Sequence, residues 1–393
     1  MKKFLGFTAA IIAASVLAIP SASAFDPMAA ATVFARLAAA PELSNPSVSL
    51  IDVKTGAVVF EANGLSQRKP ASTMKLLSAV ATLKYLDPQK VFATSLSLGP
   101  VPNSIVINGE FDPWMSTNSQ VAVKMHRTSY PRLAASSLSA VKKETGKTVK
   151  RLKIYYNDLY SADLANLKSL YTKRHVAVTF VNVSEEQAQA SAGVQVVSST
   201  SPTVKEIMDW FLLWSDNLLA ERMGRIASKA AGNEFNDVGV SKTFTTLLNE
   251  MGIDSSGIVV KDASGLSREN KVTASLMGQL LYKIQIDPVF VQIVDGLPIG
   301  GKTGTLRHRY LQTAPKAVGL VKAKTGTLTG VVSLAGYLQS GEHEYAFIVI
   351  ADELTKTSVA SDRARKSIDR YLGQLAQPFA SKVIESATAV SVL

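Results

Sequence analysis

Alternating, strand-like patterns lie near both ends of this 393-residue chain, with a long helical stretch before the second group. Two of them form a hairpin near the N-terminus and three follow one another near the C-terminus: residues 47–53, 57–61, 320–327, 331–339 and 345–351. An isolated hairpin is only marginally stable in water. We therefore expect the two groups to join one five-stranded antiparallel sheet, which obliges the two ends of the chain to meet.

Helical patterns supply the layers that would cover this sheet. Apolar residues recur at helical spacing in five stretches, and an alanine-rich helix precedes them: residues 67–86, 204–231, 240–251, 274–286, 358–375 and 27–37. A sheet flanked by helices on both faces belongs to the α+β class, as an α/β sandwich. The sequence therefore predicts an α+β fold.

The stretch from residue 91 to residue 195 has a different character from its surroundings. Short β-rich pieces there surround one helical pattern near residues 132–143. The flanking segments already supply a sheet with helical layers, and the chain is long enough for more than one domain. We interpret residues 91–195 as an inserted β-rich subdomain, and residues 25–90 and 196–393 as the main domain.

Ser72 and Lys75 are the first candidates for chemistry. They lie two and five residues after Pro70, near the start of the helix expected over residues 67–86, and their three-residue spacing puts them on one helical face. A serine hydroxyl becomes a useful nucleophile when a neighbouring base takes its proton. A lysine can be that base if burial or another cation lowers its pKa.

Two further polar motifs follow in chain order. Ser215-Asp216-Asn217 interrupts an otherwise apolar helical pattern, and Lys324-Thr325-Gly326 ends a strand. A second Lys-Thr-Gly begins at Lys302, in a glycine-rich and then basic setting that is typical of a loop. We expect Lys324 to be the working lysine, because a strand can offer its backbone edge to an extended peptide.

Chance copies exist for the other two motifs as well. Ser139 and Lys142 repeat the first spacing, and Ser116 and Asn118 repeat the second, but both pairs lie in the insert. Single motifs are therefore weak signals, and their order along the chain carries the interpretation.

Taken in order, the three motifs resemble those of serine penicillin-recognising enzymes. The wider context resembles the class C low-molecular-mass penicillin-binding proteins, which are D-alanyl-D-alanine carboxypeptidases and endopeptidases. That context consists of Asp262-Ala263-Ser264-Gly265-Leu266-Ser267, Gly304-Thr305-Leu306 and Ser333-Leu334-Ala335-Gly336-Tyr337. The resemblance covers about residues 27–86 and 195–375 and implies a DD-peptidase/β-lactamase-like fold without cofactor or metal. In that class the insert often holds two domains, whereas this chain has room for one.

The resemblance implies catalytic roles for three residues. Ser72 attacks the carbonyl of the penultimate D-alanine of a peptidoglycan stem peptide, and Lys75 accepts its proton to give an acyl-enzyme. Ser215 relays the proton to the departing nitrogen, and Asn217 donates to the peptide. β-Lactam antibiotics would acylate the same serine.

Substrate-binding roles are implied for the third motif and for the loop after residue 261. Lys324, Thr325 and Thr327 suit the terminal carboxylate of the substrate, and Gly326 allows close approach. Backbone N–H groups of Ser72 and Thr327 would form the oxyanion hole. Asp262 and Ser264 either contact the substrate or only shape their loop. Lys324 and Thr325 should face opposite sides of a flat strand.

Two rival functions remain open from the sequence. A β-lactamase shares the three motifs but needs a glutamate that hydrolyses the acyl-enzyme, and the nearest match here, Glu234-Phe235-Asn236, fits poorly. A non-catalytic envelope-binding protein would keep the fold and use its basic surface. The residues do not separate carboxypeptidase from endopeptidase activity.

The first 24 residues predict export. Lys2 and Lys3 precede an apolar stretch, and Ala22-Ser23-Ala24 matches a signal peptidase site. The alternative is an uncleaved anchor. We expect the mature protein in the periplasm or another extracytoplasmic part of the envelope, where cysteines could pair, although the chain has none.

Basic residues outnumber acidic ones along the chain. Removing Lys2 and Lys3 lowers the net charge from +11 to +9, and the basic residues cluster around 142–153 and 363–370. Nucleic acid is not an expected partner, because aromatic-rich basic motifs are lacking. Peripheral contact with anionic membrane or wall polymers is a better interpretation than nucleic acid, and a merely solvated basic face is favoured over both.

Overall fold

The structure is a computed structural model and describes residues 26–379. The predicted signal peptide, residues 1–24, lies outside the described residues. None of the helices within residues 26–379 is long and apolar enough to cross a membrane.

The main sheet contains the five strands that the sequence predicts. They are β1 (Ser47–Asp52), β2 (Val58–Ala62), β8 (Val321–Leu328), β9 (Val331–Ser340) and β10 (His343–Ala351). Their order across the sheet is β2-β1-β10-β9-β8, and every neighbouring pair is antiparallel. The N-terminal hairpin thus completes the sheet of the C-terminal strands through the β1–β10 pairing.

Helices cover both faces of this sheet, as predicted. The first face carries α2 (Lys75–Tyr85), α7 (Val204–Trp214), α8 (Asn217–Ala230), α9 (Asp237–Glu250) and α10 (Ala274–Ile286). The opposite face carries α1 (Pro27–Ala38) and α11 (Ser358–Leu375). Alternate residues of β10 pack into the two cores, Ile348 on the first face and Phe347 on the other. Most residues of this strand are therefore buried. The α+β prediction is confirmed.

A second five-stranded sheet forms the core of the insert. Its order is β6-β5-β4-β3-β7, for β3 (Ala93–Leu98), β4 (Ser104–Asn108), β5 (Arg151–Asn157), β6 (Ala177–Asn182) and β7 (Gln195–Thr200). β7 ends at Thr200, five residues past the border that the sequence suggests, because it pairs with β3. We propose residues 91–200 as the inserted unit.

The insert also holds more helix than its sequence suggests. Only the helix near residues 132–143 is predicted, and the structure has four: α3 (Ser119–Lys124), α4 (Tyr130–Thr145), α5 (Ser161–Thr172) and α6 (Glu185–Ser191). β4, β5 and β6 are parallel neighbours, and parallel strands need long crossover connections, which are usually helical. The basic residues around 142–153 mostly lie on the exposed surface of this unit.

A buried ion pair connects the insert to the main domain. Arg222 of α8 donates to the Asp163 carboxylate of α5 over 2.5 Å, and both side chains are almost fully buried. The Tyr130 hydroxyl donates to the same carboxylate, and the Arg222 guanidinium lies 4.1 Å from the centre of the Tyr160 ring. A buried carboxylate that loses such a partner keeps its desolvation cost without compensation.

We therefore predict that Arg222→Met lowers the free energy of unfolding by about 3–5 kcal/mol, because it leaves Asp163 buried and unpaired. Lys229→Met is the control on the same helix. It removes an exposed 3.4 Å pair with Asp158, also across to the insert, and should cost no more than about 1 kcal/mol. Urea unfolding of both variants measures the difference, and equal losses would contradict the role of the buried pair.

Candidate active site

Ser72 lies in a 3₁₀ turn, Ala71–Met74, that runs directly into α2. The helix predicted from residue 67 therefore begins eight residues later, at Lys75. Ala71 has a left-handed backbone with φ of 48°, which is costly for a residue with a side chain. The Pro70 carbonyl before it accepts hydrogen bonds from the Thr73 hydroxyl at 2.8 Å and the Ser333 hydroxyl at 2.7 Å. These contacts hold the strained turn that presents Ser72.

The Lys75 side chain is fully buried beside Ser72. Its Nζ donates to Ser72 Oγ at 3.0 Å, to Asn217 Oδ1 at 2.7 Å and to the Ser264 carbonyl at 2.6 Å. Burial lowers the pKa of Lys75 from 10.5 to about 8, although the charges of nearby acids, chiefly Asp262, act in the opposite direction. Lys75 therefore loses its proton at a much lower pH than an exposed lysine does.

Ser215 occupies the break between two helices. It ends α7 in a left-handed conformation with φ of 60°, and Asp216 then caps α8 by accepting from the Leu219 N–H at 3.0 Å. This break explains why a polar triplet interrupts the apolar pattern. It also places Asn217 on the first turn of α8, where the side chain reaches Lys75.

Lys324 is buried as completely as Lys75. Its Nζ donates to Ser215 Oγ at 2.9 Å and to the Thr325 carbonyl at 3.0 Å. Burial lowers its pKa well below the ordinary value, and the neighbouring charge of Lys75 lowers it further. The three motifs thus come together and form two Ser–Lys pairs, Ser72–Lys75 and Ser215–Lys324.

Thr325 turns the other way, toward open space. Its hydroxyl is 2.8 Å from that of Thr305, and both residues line a cleft of about 440 Å³. The cleft also contains Ser72, Ser215, Asn217, Gly326, Thr327, Val332, Ser333, Arg309 and Arg365. Lys324 and Thr325 face opposite sides of β8, as expected, and the cleft opens along the edge of the sheet. Lys324 is not among the residues that line the cleft, and it contacts the lining residue Ser215.

β8 is an edge strand whose first half is covered. The Ala323 N–H donates to the Pro298 carbonyl at 2.9 Å, and Lys322 bridges to Ile299. From Thr325 onward the strand borders the cleft. A side chain at Gly326 would put its Cβ 2.1 Å from Ser333 Oγ and 2.8 Å from the Pro70 carbonyl, so only glycine fits between this strand and the Ser72 turn.

Asp262 and Ser264 lie behind Lys75 instead of among the residues that line the cleft. The Asp262 carboxylate accepts from the N–H groups of Ser264, Gly265, Leu266 and Ser267 at 2.5–3.1 Å. The Ser264 hydroxyl donates to it as well, at 3.0 Å. Burial alone would raise the pKa of Asp262, but these hydrogen bonds hold it below its usual value. The contacts favour the loop-shaping role over substrate contact.

The second Lys-Thr-Gly is a loop, as expected. Lys302 lies outside the cleft lining, and the 3₁₀ turn Gly304–Leu306 that follows contributes Thr305 instead. Arg365 of α11 also lines the cleft, although in the sequence it is only one of the basic residues around 363–370. Its guanidinium donates to Thr327 Oγ1 at 3.3 Å and to Asp362 at 2.6 Å. Only the closure of the chain ends brings α11 to the cleft.

A family model described as D-Ala-D-Ala carboxypeptidase 3 (S13) matches residues 29–152 and 161–375. The chain belongs to this family. It is a serine-type D-Ala-D-Ala carboxypeptidase with the fold of class C penicillin-binding proteins, as the sequence motifs predict.

Known relatives and solved structures are similar to this chain over most of its length. Carboxypeptidase DacB of Mycolicibacterium smegmatis is 29% identical over 350 residues, which cover 76% of this chain and 75% of the relative. Penicillin-binding protein 4 of Haemophilus influenzae, solved with a β-lactam, superposes with a TM-score of 0.66 at 18% identity, covering 88% of this chain and 100% of that one. A predatory peptidoglycan endopeptidase of Bdellovibrio bacteriovorus has a TM-score of 0.56 at 16% identity, covering 86% and 94%. At these identities the solved structures establish the fold.

We predict that Asp262→Asn lowers the rate of Ser72 acylation by penicillin at least about tenfold, because the amide NH₂ would face the Ser267 N–H and displace the Ser264 carbonyl from Lys75. This displacement should outweigh the lower Lys75 pKa that follows from losing the Asp262 charge. Asp254→Asn is the matched control, since Asp254 accepts from Ser256 in an exposed turn of the same kind. Stopped-time labelling with fluorescent penicillin measures both rates. An unchanged rate in Asp262→Asn would assign the loop no part in placing Lys75.

Proposed function

We propose that this carboxypeptidase cleaves the terminal D-alanine from peptidoglycan stem peptides through an acyl-enzyme on Ser72. The observation that carries the proposal is the 3.0 Å contact between Ser72 Oγ and the buried Nζ of Lys75. A hydroxyl and an amine of lowered pKa at hydrogen-bond distance form a nucleophile and its base.

In the first step, Ser72 Oγ attacks the carbonyl of the penultimate D-alanine while neutral Lys75 takes the hydroxyl proton. The N–H groups of Ser72 and Thr327 stabilise the oxyanion, and Asn217 orients the peptide. Ser215 then protonates the departing D-alanine nitrogen. Water hydrolyses the acyl-enzyme by the same proton transfers in reverse order.

Lys324 suits proton transfer better than carboxylate binding. Its Nζ is fully buried, donates to Ser215 and has a pKa far below that of a surface lysine. Burial is also the cause that lowers the pKa of Lys75, against the charges of nearby acids. We propose that neutral Lys324 relays protons through Ser215. The proton that Lys75 takes from Ser72 replaces the one that Ser215 gives to the leaving nitrogen, and the substrate carboxylate is bound elsewhere.

Arg365 is the cation that we assign to that carboxylate. It lines the cleft on the side of Thr325 and Thr327, and it already donates to the Thr327 hydroxyl. Arg309 lines the same cleft, but two of its nitrogens are held by the buried Asp369, whereas Arg365 uses one nitrogen on the exposed Asp362. Charge-assisted hydrogen bonds from Arg365 and two threonine hydroxyls would fix the terminal carboxylate.

A peptide that extends along the open part of β8 would place its scissile carbonyl over Ser72, because strand addition uses the free edge. Such an edge accepts a free stem peptide or one arm of a cross-link, so endopeptidase activity is part of the proposal. β-Lactams would occupy the same cleft and acylate Ser72. We propose that these reactions take place outside the cytoplasm, in the periplasm or envelope, after export directed by residues 1–24.

Labelling with fluorescent penicillin tests this proposal against its rivals. A stable adduct on Ser72, with D-alanine released from stem peptides, supports the carboxypeptidase. Rapid turnover of the adduct would favour a β-lactamase, and failure to label would favour a binding protein. Digestion of purified sacculi then separates carboxypeptidase from endopeptidase products.

Lys75→Arg should abolish this acylation while the protein stays folded, because a guanidinium does not give up its proton. In the wild type, the acylation rate should rise with pH as Lys75 loses its proton, by about fivefold from pH 7 to pH 8, and level off above the pKa of about 8. Penicillin labelling across pH 6–10 measures this. Labelling of Lys75→Arg near the wild-type rate would remove Lys75 from the base role.

Arg365→Gln should lower kcat/KM for a D-Ala-D-Ala peptide with a free C-terminal carboxylate by about tenfold or more, because one charge-assisted contact is lost. The same peptide with a C-terminal amide should be affected little. Arg363→Gln, an exposed neighbour on α11, is the control and should change neither. Equal losses on acid and amide would show that Arg365 does not read the carboxylate.

A further inference from the structure

A groove of about 740 Å³ lies in the inserted unit, between α3, α4 and the edge strand β7. We call it the insert groove. It is lined by Ser119, Ala122, Val123, His126, Arg127, Thr128, Ser129, Pro131, Arg132, Leu133, Arg174, Val197, Ser199 and Thr200. None of the residues of the proposed reaction is among them, so the groove has no role in the chemistry described above.

The insert groove is cationic. Arg127, Arg132 and Arg174 line it together with His126, and among these described lining residues none is acidic. Arg132 and Arg174 are exposed, so their charges face solvent. Three guanidinium groups around one groove favour a ligand with carboxylate or phosphate groups.

Arg127 is held in place for such a ligand. Its guanidinium lies 4.1 Å from the centre of the Trp114 ring, and its Nε is buried with no hydrogen-bond partner within the described structure. The nearby Asp112 carboxylate is already used by the hydroxyls of Thr94 and Thr128, at 3.1 and 3.0 Å. The Trp114 ring thus fixes the Arg127 guanidinium at the wall of the groove, where its positive charge adds to those of Arg132 and Arg174.

The walls of the insert groove indicate a peptide. Its apolar lining includes Val197 of β7 and Val123, which is 79% exposed, and its hydroxyls include Ser199. β7 is the last strand of the second sheet, so it can pair with an extended chain on its outer side. A small apolar side chain, a backbone and carboxylates would all find partners here, whereas a sugar-phosphate polymer would leave the exposed Val123 uncovered.

The groove also lies on the side of the insert that meets the main domain. The Arg127 guanidinium interacts electrostatically with Asp216, the neighbour of Asn217 in the cleft. Trp114, which supports Arg127, packs edge-on against Trp210 of α7 at 5.7 Å. A wall strand that enters the cleft could therefore also reach the insert groove with a neighbouring peptide.

We propose that the insert groove binds a second stem peptide of the peptidoglycan through its carboxylates. This proposal rests on the proposed function, because the substrate itself ends in a carboxylate. Holding one stem peptide would raise the effective concentration of its neighbours at Ser72, which matters on an insoluble polymer and not on a free peptide.

The test compares two double charge reversals. Arg132→Glu/Arg174→Glu changes the groove, and Lys142→Glu/Lys168→Glu changes two exposed lysines on the same unit by the same charge. Each is made with Ser72→Ala, and binding to sacculi stripped of phosphate polymers is measured by co-sedimentation. We expect the groove variant to bind about tenfold more weakly and the lysine control to bind within about twofold of its parent. Amidation of the sacculus carboxylates should abolish the difference.

With Ser72 intact, the groove variant should release D-alanine from a short soluble peptide at the normal rate and from sacculi several-fold more slowly. Equal losses in the lysine control, or wild-type binding by the groove variant, would overturn the second site. Binding that depends on added phosphate polymers would assign the groove to those polymers. If the wild type releases no D-alanine from the soluble peptide, the proposed function fails instead, and the binding comparison still decides the groove. Arg132→Gln/Arg174→Gln replaces the reversal if penicillin labelling shows that it misfolds.

Discussion

The burial of two lysine side chains in one site is the constraint on which the rest of this structure depends. Removing an ammonium group from water is unfavourable unless it is paired or loses its proton. Lys75 and Lys324 have no carboxylate within hydrogen-bond distance among their described contacts, and both instead donate to hydroxyl, amide and carbonyl oxygens. Their pKa values therefore fall, and the two side chains become bases suited to proton transfer. A lysine that is exposed to solvent, by contrast, remains an ammonium ion at neutral pH.

Keeping two lysines buried requires groups from distant parts of the chain. The Asp262 loop supplies the carbonyl of Ser264 to Lys75, and Gly265 allows this loop to lie against Ala71, since a Cβ there would stand 1.8 Å from the Ala71 carbonyl oxygen. The break at Ser215 supplies the hydroxyl for Lys324. Both depend on the β1–β10 pairing, which brings the first motif to the edge strand that carries the third. The sheet is thus the means by which the site is assembled.

The sequence was sufficient to predict this sheet and the meeting of its three polar motifs in one place, because strand periodicity and short motifs are local signals. The insert was predicted less well. Its parallel strands lie far apart in the sequence, so three of its helices and the place of β7 depend on pairings that no local pattern records. Arg365 was missed for a similar reason. On the sequence it is one member of a basic helix surface, and only the packing of α11 beside β8 gives it a contact with Thr327.

There is a chemical reason to assign proton transfer to Lys324 and carboxylate binding to Arg365. A group that passes protons must have a pKa near that of the atoms it serves, whereas a group that binds a carboxylate works best with a permanent charge. Lysine changes its pKa readily on burial, and arginine keeps its proton throughout the usable pH range. If one residue did both tasks, binding the anionic substrate would raise its pKa and keep it protonated beside Ser215, where it could no longer accept a proton. Placing a buried lysine behind Ser215 and an arginine at the mouth of the cleft lets substrate binding and proton transfer be adjusted independently.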